Sequence, residues 1–369
     1  MKSSLLPSVA LMCLFSAVQP TLGADAPAPG AAPAPGATPG ATPGAPAPRR
    51  GGGPPGPPAT PADLAAIAKL NDLPPYATGL TDGDYSTGPN YTPAPEQTPR
   101  DGVPKGKVIQ FTMDSTESKF YPTANGMPFQ RAVAVYIPPG YVPGTPAPCI
   151  MAADQYGLKG NQLPTILDNM LADHRLPAMI AIMVNPGPGG ERSIEYDTVS
   201  TKYDDFFETE VLPRAEKEAN VTVTKDPDGR MTYGGSSGGA VAFTMAWFHP
   251  ELYHRVLTYS GTYVNLKNGP DAPHGAWEYN EHFIPDNPAK PLRVWLEVAE
   301  RDNGAATSAA GFRNWILANQ NMAAVLKAKG YHYQLVFAKN AGHTDSKAIA
   351  QTLPSALEWV WRGYRPVTK

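Results

Sequence analysis

Residues 230–240 read RMTYGGSSGGA, and the run continues as VAFTMAWF to residue 248. The first half carries the apolar, β-branched pattern of a strand, the last part carries helical spacing, and between them lie two serines flanked by pairs of glycines. A chain that passes sharply from strand to helix crowds the residues two before and two after the apex. Glycine at those positions relieves the clash and lifts the apex side chain into the open. The pattern G-x-S-x-G fits in two registers, Gly234-x-Ser236-x-Gly238 and Gly235-x-Ser237-x-Gly239, and glycine spacing alone does not choose between them. A plain glycine-rich turn, or an anion-binding loop at a helix N-terminus, has the same composition, so the decision rests on what the rest of the chain supplies.

Working outward, strand and helix signals alternate from Lys105 onward. VIQFTMDS and AVAVYIPP read as early strands, CIMAAD and MIAIMVNP as short buried ones, with the helix NQLPTILDNMLADH between the latter two. The helix YDDFFETEVLPRAEKEA leads into the serine stretch; HRVLTYSG, LRVWLEVA and YQLVFAK follow as strands, with helices FRNWILANQNMAAVLKAK and LPSALEWVWRG among them. Near-continuous apolar strands separated by helices predict a mostly parallel sheet covered on both faces, a three-layer α/β domain over residues 105–369.

A serine hydroxyl is a weak nucleophile at neutral pH and needs a base and a group that orients the base. In an α/β domain with a nucleophile on such a turn, these follow in the order Ser, acid, His, each on a loop at the C-terminal end of a later strand. Six histidines follow the serines: His249, His254, His274, His282, His332 and His343. Only His343, in KNAGHTD, comes directly after the last strand and before the last helix. The strand LRVWLEVAERDNG offers Glu297, Glu300 and Asp302; Asp302 lies furthest into the loop, while Glu297 falls within the strand.

Ahead of this domain the chain changes character. MKSSLLPSVALMCLFSAVQPTLGADA has a basic residue, an apolar run broken by Pro7 and Ser16, and then small residues, the layout of a signal peptide over residues 1–23. That run is short for a membrane span, which needs about 20 apolar residues, and export to the periplasm or medium is the expectation. Cys13 lacks the small residues before it that a lipoprotein signal needs. Residues 24–62 are Ala, Pro and Gly with almost nothing to bury and read as a disordered tether, in which Arg49 and Arg50 form a solvated basic pair. Residues 63–104 remain rich in Pro, Gly and Tyr, with one short helical candidate, DLAAIAKLN, and are expected to drape over the domain or stay loose. After cleavage Cys149 is the one cysteine left, so no internal disulfide is available, and its place in an apolar strand predicts a buried inert thiol.

The composition, 42% hydrophobic with a formal charge of −3 over 369 residues, fits one large domain plus this extra material. It supplies no electrostatic reason to expect a nucleic-acid partner. No pair of histidines has ligand spacing within a helix, so no metal is expected. GGSSGG lacks the G-x-G-x-x-G pattern and no Walker-type lysine follows, so no cofactor is expected either.

RSIEYDTVSTKYDDFFETEVLPRAEKE, YGGSSGGAVAFTMAWFHPELYHRVLTYSG, LANQNMAAVLKAKGYHYQLVF and AGH fall in the order and at the places where the α/β-hydrolase esterases of the enterochelin-esterase and esterase D type have them. The chain resembles that family over roughly residues 105–366. The resemblance implies ester hydrolysis through an acyl-enzyme with Ser236, Asp302 and His343 as the triad. It also selects the register, since the family has one residue and then two glycines after its nucleophile. The oxyanion would then take the main-chain N–H of Ser237 and, by position and by resemblance, that of Gln155 in DQYG. Exported relatives include siderophore esterases and feruloyl and acetylxylan esterases, so the expected partner is a small-molecule or polysaccharide-linked ester. AERDNG is a loose version of the family's acid loop, which leaves Glu300 as an alternative acid. The N-terminal region also differs from the extra domain of cytoplasmic siderophore esterases.

Arg192 and Glu195 are spaced either to hold a loop through an ion pair or to contact substrate. The insertion TYVNLKNGPDAPHGAWEYNEHF is long for a connection, and Tyr263, Trp277 and Tyr279 in it would form either an aromatic pocket wall or simple packing. Two other readings use the same fold: a non-catalytic binding protein on a Pro-Ala spacer, and an acyltransferase to a sugar hydroxyl.

Overall fold

The computed structural model describes residues 56–155 and 162–365. The expected signal peptide, most of the tether with Arg49 and Arg50, Cys13 and the middle of the DQYG loop lie outside the described residues. Eleven strands occur among those described: β1 Gly83–Thr87, β2 Lys107–Asp114, β3 Gln130–Ile137, β4 Pro146–Ala147, β5 Cys149–Ala153, β6 Ile180–Val184, β7 Thr222–Val223, β8 Arg230–Gly235, β9 Arg255–Tyr259, β10 Arg293–Arg301 and β11 His332–Gly342. Nine of them form one sheet in the order β1-β11-β10-β9-β8-β5-β6-β3-β2, and β4 and β7 pair separately. From β1 across to β6 every neighbour is parallel, while β3 and β2 close the far edge antiparallel. The continuous apolar runs CIMAA, IAIMV and RVLTY are buried along their whole length, as strands covered on both faces must be. β2, at the open edge, alternates between exposed and half-buried positions.

The helices are α1 Pro61–Lys69, α2 Leu163–Ala172, α3 Glu191–Tyr196, α4 Lys202–Phe206, α5 Leu212–Ala219, α6 Ser237–Phe248, α7 Ile284–Asp286, α8 Trp315–Ala328 and α9 Ser346–Val360. α2 and α9 pack on one face of the sheet around Ile166, Met170, Trp295, Ile349 and Leu357. α4 to α6 and α8 cover the other, around Phe206, Val211, Phe243, Leu296 and Met322. The three layers expected from the sequence are therefore present. α6 is apolar all round because it is buried all round, from Ser237 to Trp247, against the middle of the sheet. The stretch 203–219, expected as one helix, is divided by a π-helical turn over Phe207–Val211. Pro213, just beyond it, has no N–H to give to the preceding turn.

The N-terminal boundaries need correction. Residues 63–104, expected to drape over the domain or stay loose, add a strand to its sheet: β1 pairs in parallel with β11 from Gly83↔Gln334 to Thr87↔Ala338. The stretch GDYST is short, half polar and set among prolines and glycines, so no periodicity announces it; only the open edge of β11 makes it a strand. α1 starts at a capping box in which Asp63 N–H donates to Thr60 Oγ1 (3.2 Å) and Thr60 N–H donates to Asp63 Oδ2 (2.8 Å). The end of the expected tether is bound as well: Ser308 N–H donates to the Pro57 carbonyl (2.7 Å) and Ala59 N–H to the Ala306 carbonyl (2.9 Å). Cys149 is buried as expected, and burial pushes its thiol up to about 12.

A chain beginning at residue 56 is expected to fold, because residues 24–55 are mostly Ala, Pro and Gly with little to contribute to a core. A chain beginning at residue 89 loses β1 and leaves the β11 edge unpaired, and should aggregate or unfold at lower temperature. Size-exclusion chromatography and thermal unfolding of the two truncations check this; equal behaviour would show that β1 contributes nothing.

Candidate active site

Ser236 stands between β8 and α6 with φ +58° and ψ −128°, a conformation that L-residues rarely adopt. Four main-chain hydrogen bonds hold it there. Its N–H donates to the Tyr259 carbonyl at 2.9 Å, and its carbonyl accepts from Gly239 (2.9 Å), Ala240 (3.1 Å) and Thr262 (3.0 Å). The glycines do what the turn requires. A Cβ on Gly234 would sit 2.2 Å from the Gly238 carbonyl oxygen, and one on Gly238 would sit 2.8 Å from an Asp154 oxygen and 3.1 Å from the Ala153 Cβ. The strained apex is Ser236, so the structure selects the register Gly234-x-Ser236-x-Gly238.

The three residues of the expected relay meet at the C-terminal edge of the sheet. His343 Nε2 lies 2.8 Å from Ser236 Oγ and His343 Nδ1 lies 2.5 Å from Asp302 Oδ1. Asp302 is buried, and its carboxylate is oriented by the N–H groups of Asn303 (2.7 Å, to Oδ1) and Ala299 (3.3 Å, to Oδ2). The His343 ring rests edge-on against Trp315, whose indole N–H donates to Thr262 Oγ1 (3.2 Å), itself 3.4 Å from Ser236 Oγ. Ser260 Oγ accepts the N–H of Thr344 (3.0 Å), which ties the histidine loop to the end of β9. Glu300, the alternative acid, turns the other way and accepts the Asn340 N–H at 2.6 Å.

Of the two expected oxyanion donors, Ser237 is the first residue of α6, where an N–H has no partner within the helix. Its hydroxyl is turned toward the Asp197 carboxyl, which burial raises above the usual carboxylate range. Gln155 lies beside the site but requires correction: its N–H donates to the Val184 carbonyl at 3.3 Å, because Asp154 and Gln155 both take positive φ and curl the chain back over β6.

Arg192 and Glu195 do not pair with each other. Arg192 makes a two-pronged pair with Asp154 (both 2.7 Å) and reaches the Gly235 carbonyl at 3.4 Å, one residue before Ser236, with about a third of its side chain exposed. Glu195 makes a fully buried pair with Arg131 (2.7 and 2.8 Å) and takes the Gly187 N–H as well. Arg131 is 61 positions away in the sequence from Arg192, so only the sheet register could reveal the exchange of partners. The aromatic wall is also corrected. Tyr263, Trp277 and Tyr279 are all buried; Phe243 of α6 meets Tyr263 and Tyr279 edge-on, and the Trp277 N–H is held by Glu281 (2.8 Å). Trp277 therefore packs the insertion onto the domain and presents no face to a ligand.

Glu297 lies within β10, as its place in the sequence suggested, on the strand that leads to Asp302. It is completely buried, and neither carboxyl oxygen has a hydrogen-bond partner. Burial first, and then the neighbouring Asp302 and Asp345, hold its carboxyl well above the usual range, so it is carried neutral. Tyr91 also feels this carboxyl from the far side of β11.

A family model described as "Putative esterase" matches residues 124–359. Among curated proteins, an uncharacterized protein, YbbA, of Bacillus subtilis (strain 168) is 23% identical over 252 residues, 63% of this chain and 92% of that one. Among solved structures, enterochelin esterase from Shigella flexneri superposes with a TM-score of 0.53 at 19% identity, over 72% of this chain and 60% of that one. A ferulic acid esterase superposes at 0.52 and 19% identity over 70% and 99% of the two chains. A ferulic acid esterase of the anaerobic fungus Anaeromyces mucronatus does so at 0.53 and 15% over 74% and 96%. The chain thus spans about 60% of the length of the Shigella enzyme.

Three substitutions separate the roles of these acids. Asp302→Asn is expected to lower turnover of a nitrophenyl ester by roughly 10⁴-fold with the fold intact, because the amide favours the wrong imidazole tautomer, whereas Glu300→Gln stays near the parent. The reverse ranking in steady-state kinetics would move the acid to Glu300. For Glu297, a carboxyl whose pKa is raised on folding supports the fold fully below the ordinary value of 4.5 and costs increasing stability as pH rises from there toward its folded pKa. Glu297→Gln should therefore flatten the fall in unfolding free energy as pH rises above the ordinary value of 4.5, whatever the fixed cost of burying its amide. Denaturant titrations across that range measure the slope, and an unchanged slope would mean that Glu297 is not carried neutral.

Proposed function

The chain belongs to the esterase family whose model it matches over residues 124–359, and on this premise we propose that it is an exported serine esterase that works through an acyl-enzyme. That it is a carboxylic ester hydrolase follows from the family. The particular mechanism is carried by one observation, the unbroken line from Asp302 through His343 to Ser236 at 2.5 and 2.8 Å on a strained turn.

In this reading His343 Nε2 takes the Ser236 proton as Oγ bonds to the ester carbonyl carbon. Asp302 holds the ring in the tautomer that leaves Nε2 free to accept and stabilises the imidazolium that forms. The carbonyl oxygen becomes an oxyanion facing the Ser237 N–H, where the positive end of α6 adds to the hydrogen bond. As the intermediate collapses, the C–O bond of the leaving alcohol breaks and His343 returns the proton to that oxygen. A water molecule then repeats the sequence on the acyl-Ser236 ester, giving up its proton to His343 and releasing the acid.

The substrate class proposed is a feruloyl- or acetyl-type ester on carbohydrate, or a siderophore-like ester. The enterochelin and ferulic acid esterases among the structural neighbours support that range. The exposed face of Arg192 beside Gly235 supports an acidic or phenolic group on the substrate. Export rests on the layout of residues 1–23.

Ser236→Ala should abolish labelling by a fluorophosphonate and lower turnover by roughly a million-fold. Ser237→Ala should keep most of the rate, because the donor is its main chain. Mass spectrometry of the labelled peptide reads the result: an adduct on Ser237, or labelling that persists in Ser236→Ala, overturns the assignment, and absence of any labelling in the parent overturns the acyl-enzyme.

A further inference from the structure

The insertion between β9 and β10 carries a second polar constellation, away from Ser236. His274, Glu278 and Glu281 bring one donor atom each, an imidazole Nδ1 and two carboxylate oxygens, to within 4.8 Å of one another. The spacing i, i+4, i+7 places them on one face of the helical turns that run from Gly275 to Asp286. One histidine with two glutamates at this spacing carries no histidine-pair signal in the sequence.

Three observations distinguish this cluster from a solvated charge group. First, His274 Nδ1 is 3.0 Å from Glu278 Oε1 and 3.6 Å from Glu281 Oε2, yet it is buried and forms a hydrogen bond with neither. The nitrogen thus lies within reach of both carboxylates without a bond to either, on a side chain that is 38% exposed. A tetrahedral ion held at about 2.0–2.1 Å from each donor needs donor separations of roughly 3.3 Å, which these two edges bracket. Second, the Glu278 side chain is 4% exposed, and among the described residues its ion-pair neighbours are His274 and His282, neither a permanent cation. A buried carboxylate without a fixed positive partner is the kind of group that a metal ion satisfies. Third, each donor is already oriented. The His274 main-chain N–H donates to Glu278 Oε1 (2.9 Å), the Trp277 N–H to Glu281 Oε1 (2.8 Å), and the His274 ring is stacked on Phe312 at 3.9 Å.

We propose that His274, Glu278 and Glu281 form a binding site for a divalent cation of the zinc class, with water in the remaining position. One imidazole and two carboxylates suit zinc better than the all-oxygen sets that calcium and magnesium prefer. The ion would brace the insertion where it meets the loop after Asp302. Phe312 lies on that loop, and its carbonyl accepts the N–H of Asn265, three residues beyond Thr262 at the serine turn.

The test is isothermal titration of chelator-treated, dialysed protein with zinc chloride, alongside thermal unfolding with and without zinc. One zinc per chain at micromolar or tighter affinity is expected, with a raised unfolding temperature. His274→Ala and Glu281→Gln should each weaken binding at least about tenfold. Ser236→Ala should bind as the parent does, which keeps the outcome separate from the esterase reading. Absence of saturable uptake by the parent overturns the proposal, as does an affinity unchanged in both variants, since the ion would then sit on other histidines.

Discussion

The positive φ of Ser236 is the constraint on which the rest of the site depends. Such a backbone costs on the order of 1–3 kcal/mol and persists only where its surroundings over-determine it. Here they do so twice over. Gly234, Gly238 and Gly239 remove the side chains that would collide with Asp154, Ala153, Thr258 and the opposing backbone. The Ser236 N–H and carbonyl are then occupied by Tyr259 and Thr262 from the end of β9, and by the first turn of α6. The same bonds that hold the turn therefore join β8, α6 and the end of β9, so the serine is presented from the middle of the sheet.

The partners of the serine are held by the neighbouring strand ends in the same manner. Asp302 is fixed by N–H groups of its own turn, and the histidine loop is pinned to β9 through Ser260. Beneath them Glu297 is buried without a hydrogen bond between Asp302 and Asp345. Two ionised carboxylates in that space would repel each other in a medium that screens them poorly. Burial first, and then those two neighbours, hold the Glu297 carboxyl well above the usual carboxylate range.

Outside this centre, the segments that looked peripheral are structural. β1 completes the sheet edge, Pro57 and Ala59 bond to the loop beyond Asp302, and the aromatic residues of the insertion are packed onto α6. The loop that carries the acid is thus held from two sides, by the end of the Pro-rich stretch and by the insertion through Phe312 and His274. This accounts for an insertion whose buried aromatic and acidic residues face the domain.

Much of the architecture was legible in the chain itself. Buried parallel strands are apolar throughout, so β5, β6, β9, β10 and β11 could be read from periodicity, and the sharp turn from its glycines. The order Ser236, Asp302, His343 was legible because in a parallel sheet successive strand ends fall on one edge, so that chain order becomes spatial order. What the chain alone left open concerned groups whose partners are distant in sequence. Which of Asp302 and Glu300 faces His343 is set by the turn of the loop: Asp302 meets the ring, and Glu300 takes the Asn340 N–H. The partners of Arg192 and Glu195 were decided by Asp154, just past the end of β5, and Arg131 on β3, the Gln155 N–H by the Val184 carbonyl, and GDYST by the open edge of β11. Hydrogen bonds and ion pairs act over about 3 Å and are specified by position in space, whereas periodicity records only whether a residue faces water or core.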